Sequence, residues 1–166
     1  TNVSYNDIAG NLFENDIIKL GEKSITTGYP DGGFHPLESI ERGAMAAYLY
    51  RLAGSPEFEA PAESPFSDVP TTHPFYKEIA WLKATGITTG WEDGTFRPED
   101  SINREAMAAF FYRAAGSPEV QQKATFTDVS GSPFAKEISW FQFSKLSTGW
   151  PDSTFRPHDS VKRDAM

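Results

Sequence analysis

The chain has 166 residues, no cysteine, and 23 acidic against 15 basic side chains, which gives a formal net charge of −8 and an isoelectric point near 4.8. This balance argues against general nucleic-acid binding, which needs a basic face to neutralise phosphates. The lack of cysteine excludes a disulfide framework and a cysteine-based metal site. We expect no membrane insertion, because no apolar run approaches the roughly 18 residues of a membrane span. The start has neither a signal-peptide pattern nor an initiating Met, which indicates a mature fragment or an excised domain.

One segment of the sequence occurs three times. It reads SITTGYPDGGFHPLESIERGAMAAYLYR from Ser24, GITTGWEDGTFRPEDSINREAMAAFFYR from Gly86 and KLSTGWPDSTFRPHDSVKRDAM from Lys145. The spacing of about sixty residues is longer than that of common solenoid repeats. It predicts three small supersecondary modules that pack on their neighbours.

Each module opens with an aromatic-x-Asp-aliphatic element, which is followed by a first helix. Apolar side chains at helical spacing predict these three helices: Phe13, Ile17 and Leu20, then Phe75, Ile79 and Leu82, then Phe134, Ile138 and Phe141. In the third module we expect Ser132 to cap the helix and Pro133 to take its first position. Trp81 and Trp140 lie at matching positions and are expected to pack in the core or between modules.

Glycine is placed to end the first helix of the second module. Gly86 suits the left-handed conformation that often closes a helix. Ser24 and Lys145 replace it in the other modules, so we expect their helix ends to be less favourable or differently shaped.

A second helix follows the loop of the first two modules. It begins near Asn103-Arg104 and ends at Ala115-Gly116, and its first copy ends at Ala53-Gly54. The third module stops soon after this helix begins, so we expect either more chain in the parent protein or another molecule over the gap. We place the modules at residues 1–56, 64–118 and 124–166, with linkers at 57–63 and 119–123.

This pattern resembles the S-layer homology domain, which usually occurs as three tandem modules. The match is carried by Phe66-x-Asp68-Val69, His73-Pro74-Phe75-Tyr76-x-Glu78-Ile79, Leu82-x-x-x-Gly86-Ile87-x-x-Gly90, Asp93-Gly94-Thr95-Phe96-x-Pro98 and Ile102-x-Arg104. The resemblance implies a mainly α fold: three helix-loop-helix repeats form a pseudo-threefold bundle around a central prism of the three first helices. It also implies a non-catalytic module at the bacterial surface, which binds anionic, often pyruvylated, peptidoglycan-linked polysaccharide in grooves between modules.

The chain departs from the family pattern at the start of the second helix. The family's Thr-Arg-Ala-Glu cap appears as Glu41-Arg42-Gly43-Ala44, Asn103-Arg104-Glu105-Ala106 and Lys162-Arg163-Asp164-Ala165. The arginine is retained in all three copies, whereas the Thr/Glu capping box is not. The shortened third module puts any groove that needs its second helix in doubt.

The repeated arginines are the first candidate site residues. Arg42, Arg104 and Arg163 lie in the first turn of a helix, where a cation is unfavourable beside the positive end of the helix dipole. Three such placements indicate an anionic partner. That partner is either an internal Asp or Glu, or a ligand carboxylate or phosphate that the guanidinium and the helix N-terminus bind together.

Three other sets of residues recur with the arginines and have open alternatives. Tyr29, Trp91 and Trp150 are expected to be partly exposed, and either stack on sugar rings or pack on the neighbouring module. Asp7, Asp68 and Asp128 either orient the arginine and bind sugar hydroxyls, or cap a turn. Gly28, Gly90 and Gly149 either let a ligand approach the backbone or provide a positive φ angle.

The remaining polar residues predict neither a metal site nor a catalytic site. Each turn offers one carboxylate, from Asp31, Asp93 or Asp152, which is too few for a strong calcium site. Histidines 35, 73 and 158 lack metal-ligand spacing, and no catalytic constellation or cofactor motif appears. The leading hypothesis is therefore a cell-wall anchoring module. The alternatives are a structural module that joins protein subunits, including self-association through the incomplete third module, and an enzyme whose chemistry lies in another domain.

Overall fold

The computed structural model describes residues 3–166, so the first two residues of the predicted first module lie outside the described residues. The described chain contains five α-helices and one short 3₁₀ helix: α1 Glu14–Glu22, α2 Arg42–Leu52, α3 Tyr76–Ala84, α4 Arg104–Ala114, α5 Ala135–Phe143 and the 3₁₀ helix Arg163–Ala165. Its β pairing is limited to isolated bridges. The predicted mainly α class is thus confirmed. Within residues 3–166, none of the helices has the length and apolar character needed to cross a bilayer.

The first helices begin later than the capping pattern predicts. In the third module the residue before the helix is Phe134, whose φ of −106° and ψ of 24° lie outside the helical range. Ser132 caps the preceding turn, because its hydroxyl accepts the Phe134 amide at 3.0 Å. The helix therefore begins at Ala135, and the prediction that Pro133 takes its first position was wrong by two residues.

All three first helices end in the left-handed conformation. The φ angles are 58° at Ser24, 76° at Gly86 and 60° at Lys145. The predicted left-handed end at Gly86 is confirmed. Ser24 and Lys145 adopt the same shape with a side chain, at a cost of roughly 1 kcal/mol each. Their ends are therefore less favourable, as expected, but not differently shaped.

The main helix packing joins each second helix to the first helix of the next module. α2 packs against α3, and α4 packs against α5. Trp81 meets Tyr50 edge to face with 5.4 Å between ring centres, and Trp140 meets Tyr112 in the same way at 5.7 Å. The expected inter-module packing of both tryptophans is confirmed. A central prism of the three first helices is not confirmed, because the principal contacts pair helices of different kinds.

A closed cycle of backbone hydrogen bonds joins the three modules just before each second helix. The Ile40 amide donates to the Val161 carbonyl at 2.8 Å, the Val161 amide to the Ile102 carbonyl at 3.0 Å, and the Ile102 amide to the Ile40 carbonyl at 2.9 Å. All three side chains are buried. Because each candidate arginine follows two residues later, this cycle fixes the three guanidinium groups relative to one another.

Candidate functional site

The loop after each first helix is held by the aspartate that opens the module. The two Asp68 oxygens accept the Phe96 and Arg97 amides at 2.8 and 2.7 Å. Asp7 and Asp128 bind the matching amides of their own modules. For Asp7, desolvation acts to raise the pKa, but the backbone hydrogen bonds bring it below its ordinary value. These carboxylates are engaged in anchoring loops, which matches the turn-capping alternative, and their predicted role in ligand binding stays a prediction.

The repeated glycines are required by packing inside the loop. Gly90 has a φ of +72°, and a Cβ atom there would lie 2.3 Å from Phe66 Cε1. Gly28 would bring a Cβ to 2.6 Å from the ring of Tyr5, and Gly149 to 2.3 Å from the ring of Phe126. A side chain at any of these three positions would strain the positive-φ backbone and overlap the neighbouring aromatic ring. Close approach of a ligand to these glycines stays a prediction.

The aromatic residue after each glycine is partly exposed, as expected, and carries a cation or an imidazole on its ring. Tyr29 is 39% exposed, Trp91 45% and Trp150 42%. The Arg97 guanidinium lies 4.0 Å from the Trp91 ring centre, and Arg156 lies at the same distance from Trp150. In the first module the His35 ring stacks on Tyr29 at 4.0 Å. The loop thus supports part of each aromatic surface and leaves another part open to solvent.

Each candidate arginine donates a hydrogen bond to the loop of another module. Arg42 Nε donates to the Phe96 carbonyl at 2.8 Å, and Arg104 Nε donates to the Phe155 carbonyl at 2.6 Å. Arg163 closes the cycle, because its Nε donates to the Phe34 carbonyl at 2.7 Å. Each guanidinium also lies over aromatic rings of the module it reaches, at 4.6 to 5.9 Å from their centres. Each of the three arginines therefore links its own module to another one.

None of these three arginines forms a salt bridge within the described chain. Arg42 is only 7% exposed and Arg163 only 5%. Desolvation lowers the pKa of Arg42 to about 10, partly offset by Asp100, so the side chain stays protonated at neutral pH. Desolvation also lowers the pKa of Arg104. Among residues 3–166, Asp100 acts on Arg42 and Asp159 on Arg104 only through space, without a salt bridge, so the internal partner considered from the sequence is present as a nearby charge and not as a bonded pair.

The terminal nitrogens of these arginines have free donor capacity. For Arg42 and Arg163, the only side-chain hydrogen bond to a described residue is made by Nε. Arg104 adds one contact, from Nη2 to the Ser147 hydroxyl at 3.4 Å. No buried side-chain nitrogen or oxygen of the described residues lacks a partner, so the unbonded terminal nitrogens reach solvent. They offer N–H donors to an incoming anion.

Two grooves place these groups together. The first groove, of about 230 Å³, is lined by Thr26, Tyr29, Tyr48, Arg51, Phe75 and Arg163, among others. The second groove, of about 360 Å³, has the matching set Thr88, Trp91, Phe110, Arg113, Phe134 and Arg42. Each is built from all three modules. Acidic residues also line both grooves: Glu41 in the first, and Asp100 and Glu105 in the second. Beside Arg104 and Ser147 lies a third, smaller cavity of about 200 Å³, which is lined by α4 on one side and by Ala165 and Met166 on another.

Sequence reasoning missed two kinds of groove residue. Thr26 and Thr88 are each 2% exposed and accept the amide of the repeated glycine, at 3.4 and 3.1 Å. Arg51 and Arg113 lie near the end of the second helix and donate to the Ile25 and Ile87 carbonyls. Recurrence at matching places in the repeats is the signal that would have found them.

Residues 3–166 bring together no group of three or more metal-ligating side chains.

Comparison with known proteins agrees with this architecture. The model of the S-layer homology domain matches residues 4–46, 65–108 and 125–166. The chain belongs to the S-layer homology domain family. It is 33% identical over 82% of its length to cell surface glycoprotein 1 of Acetivibrio thermocellus and 32% identical over 82% to the cellulosome-anchoring protein of that organism. It is also 32% identical over 67% of its length to S-layer protein EA1 of Bacillus anthracis.

These relatives are much longer than the chain. The aligned region spans 6% of the cell surface glycoprotein, 32% of the cellulosome-anchoring protein and 13% of S-layer protein EA1. An endoglucanase of a Bacillus strain shares 32% identity over 87% of the chain, but over only 16% of its own length. The S-layer homology region is thus a small, shared part of proteins with different names.

Proposed function

We propose that this S-layer homology chain is a non-catalytic anchor that binds an anionic cell-wall polysaccharide in its inter-module grooves. One observation carries the proposal: a largely buried arginine lies in each of the two grooves, forms no salt bridge with a described carboxylate and keeps donor capacity. A buried charge without a counterion is costly to maintain. An anionic ligand would supply the missing partner.

The chemistry of the grooves suits a carboxylate on a sugar. The two terminal nitrogens of Arg42 or Arg163 can donate to both oxygens of one carboxylate, such as that of a pyruvate ketal. The exposed part of Trp91 or Tyr29 provides an amphipathic surface for the sugar ring. The rest of the surface belongs to a protein of net charge −8, which disfavours anion binding outside the grooves.

Two grooves on one chain favour binding to a polymer. Once one groove has bound, the second meets the same polymer at a high effective concentration. Two weak sites therefore give tight attachment, provided that the polymer spans both.

The names of the relatives support anchoring at the cell surface. They include a cell surface glycoprotein, a cellulosome-anchoring protein and S-layer proteins. This agrees with the extracellular, cell-wall location expected from the sequence. The endoglucanase match supports the same reading, since the shared region is a minor part of that protein and S-layer homology accounts for most of the chain described here.

The test is sedimentation of the purified chain with isolated bacterial cell walls, before and after chemical removal of the peptidoglycan-linked polymer. We expect binding that is lost with the polymer, and strongly reduced binding for the double variant Arg42→Ala/Arg163→Ala with unchanged circular dichroism. Arg156→Ala, which removes the equivalent guanidinium over Trp150 outside both grooves, is the matched control and should retain most of the binding. Equal binding to stripped walls, or undiminished binding by the double variant, would contradict the proposal.

A second candidate function is protein–protein assembly, favoured by exposed apolar side chains beside the 3₁₀ helix. Leu12 is 89% exposed and Leu37 is 69% exposed. Their sequence neighbours Asn11 and Pro36 both hydrogen-bond Asp164 of that helix. Sedimentation equilibrium at rising concentration, without glycan, distinguishes the two functions. Assembly predicts association that Leu12→Ser/Leu37→Ser abolishes, whereas glycan anchoring predicts no dependence on these residues.

A further inference from the structure

The linkers that enter the second and third modules pass over different side chains. In the second module Tyr76, at the start of α3, is only 7% exposed. Its hydroxyl donates to the carbonyl of Pro61 in the linker. The phenol ring therefore fills the space between linker and helix, and its polar end is satisfied by the linker backbone.

In the third module no aromatic ring fills the space between the linker and the first helix. The residue at the start of α5 is Ala135, which occupies the place of Tyr76. A cavity of about 500 Å³ lies there, and its lining includes Val120, Lys123, Phe126, Val129, Ala135 and Lys136. The linker does not collapse into it, because the Ala124 amide donates to the Ser139 hydroxyl at 2.9 Å. The two related modules thus differ by one ring that is present in one and missing in the other.

The charge around the cavity is opposite to that of the whole chain. Lys123 and Lys136 line it, and none of its lining residues is acidic. The protein as a whole has a net charge of −8. Both modules have a lysine next on the helix, Lys77 and Lys136, but the linker over Tyr76 contains Glu57, Glu59 and Glu63, whereas the linker 119–123 contains one acidic residue, Glu119, and Lys123. The third-module cavity is therefore suited to an aromatic ring that is accompanied by negative charge.

From this pairing we infer that the cavity docks a tyrosine side chain, flanked by acidic residues, from a partner protein. Its ring would take the place that Tyr76 fills in the second module, and its hydroxyl would donate to a carbonyl of residues 121–123. The acidic neighbours would pair with Lys123 and Lys136. Pockets for ligands have volumes of roughly 300–1,000 Å³, so the space leaves room for more than one ring. This site is separate from the arginine grooves and does not depend on glycan binding.

The experiment titrates the ¹⁵N-labelled chain with the peptide acetyl-Glu-Tyr-Glu-amide and follows amide shifts by NMR. We expect saturable shifts in residues 120–139, and none around Trp91. Replacing the peptide tyrosine by phenylalanine should weaken binding about fivefold through loss of one hydrogen bond, and replacing it by alanine should abolish the shifts. Shifts of equal size with the alanine peptide, or no saturation by the tyrosine peptide at millimolar concentration, would overturn the inference.

Two variants of the chain complete the test. Ala135→Tyr restores the ring found in the second module and should weaken peptide binding at least about tenfold while raising the unfolding temperature. Lys136→Gln leaves the cavity open and should weaken the acidic peptide about threefold, with little effect on acetyl-Gly-Tyr-Gly-amide. The matched control is Tyr76→Ala, whose opened cavity lies under an acidic linker and should not attract the acidic peptide. Undiminished binding by Ala135→Tyr would contradict the site directly.

Discussion

The first and second grooves share a plan but differ in the side chains that complete it. Each has a buried arginine from another module, Arg163 in the first and Arg42 in the second, which donates to the backbone of the loop it reaches. The aromatic wall is Tyr29 with His35 stacked on it in the first groove, and Trp91 with Arg97 in the second. Backbone hydrogen bonds therefore set the position of the anion-binding group, whereas loop side chains set the size and charge of the site.

The two grooves also rest on different parts of the core. The loop of the second groove packs on Phe66, which is 4% exposed and belongs to the main hydrophobic cluster. The loop of the first groove packs on Tyr5, which is only partly buried and borders a small separate cluster of Ile8, Ile17 and Phe34. The second loop therefore has less freedom to adjust, and the two grooves should respond unequally to the same substitution.

The largest expected effect is on stability, from alanine at the repeated glycine. In Gly90→Ala the new Cβ overlaps the buried Phe66 ring and the backbone is strained, so we expect a loss of about 3 kcal/mol of unfolding free energy. Gly28→Ala should cost about half as much, because Tyr5 can move aside. Urea unfolding measures both. Gly94→Ala is the control, since its φ is +81° but nothing lies within 4 Å of its Cβ, so it reports backbone strain alone. Equal losses for Gly90→Ala and Gly94→Ala would show that the ring contact is unimportant.

The next effect concerns the arginine of the second groove. Arg42→Ala should weaken binding of a short anionic wall-polymer fragment by roughly 2–3 kcal/mol, or about 30- to 150-fold, because a charge-assisted bidentate contact is lost. The unfolding free energy should change by less than about 1 kcal/mol, since removing a desolvated cation offsets the lost hydrogen bond. Calorimetric titration with the fragment measures the affinity.

The control for this prediction is Arg42→Lys, which keeps the charge but loses the planar fork and should retain intermediate affinity. Arg163→Ala tests the first groove in the same assay. An unchanged affinity of folded Arg42→Ala would remove this arginine from the site.

The sequence identified these arginines by their repetition but could not predict their hydrogen-bond partners. Three arginines beside the positive ends of helix dipoles indicated an anion; the described structure gives them no salt bridge, while Asp100 and Asp159 act on Arg42 and Arg104 through space, and a ligand anion stays a prediction. Their hydrogen bonds to another module could not be predicted. Each arginine donates to a backbone carbonyl, and because every residue has one, the sequence does not show which carbonyl accepts the bond. The role of Asp68 was equally open for this reason: its carboxylate binds two loop amides that every residue possesses. Helix starts were displaced by two residues because the Ser-Pro signal caps a turn before the helix as readily as the helix itself.

A smaller effect is expected from the aromatic walls. Trp91→Ala should weaken fragment binding at the second groove about tenfold, since the ring gives a large stacking area. Tyr29→Ala should weaken the first groove about threefold, because its ring is smaller. Quenching of tryptophan fluorescence and titration calorimetry measure these changes. Trp91→Tyr should bring the second groove close to the first. If Trp91→Ala and Tyr29→Ala had equal effects, the size of the ring would not explain the difference between grooves.

The smallest expected effect is a difference in pH dependence between the grooves, because the aromatic wall carries the imidazole of His35 in the first groove and the guanidinium of Arg97 in the second. His35 contacts Asp31 at 2.7 Å and Glu38 at 3.2 Å, while Arg163 lies across the ring of Tyr29. The hydrogen bond to Asp31 raises the pKa of His35, against a lesser desolvation effect and with further support from Glu38. Its positive charge is therefore complete below its ordinary pKa of about 6.5 and is lost as the pH rises through the raised value.

Binding of an anionic fragment at the first groove should accordingly weaken about two- to threefold on going from pH 6 to pH 8.5, and salt should reduce the change. Binding at the second groove should stay constant, because its aromatic wall carries a guanidinium in place of the imidazole. Titration calorimetry on Arg42→Ala, which leaves the first groove intact, and on Arg163→Ala, which leaves the second, separates the two. The exchange His35→Arg should remove the pH dependence from the first groove and Arg97→His should transfer it to the second. If both grooves instead followed the same pH profile, the imidazole would have no part in binding and the difference between the grooves would be one of shape alone.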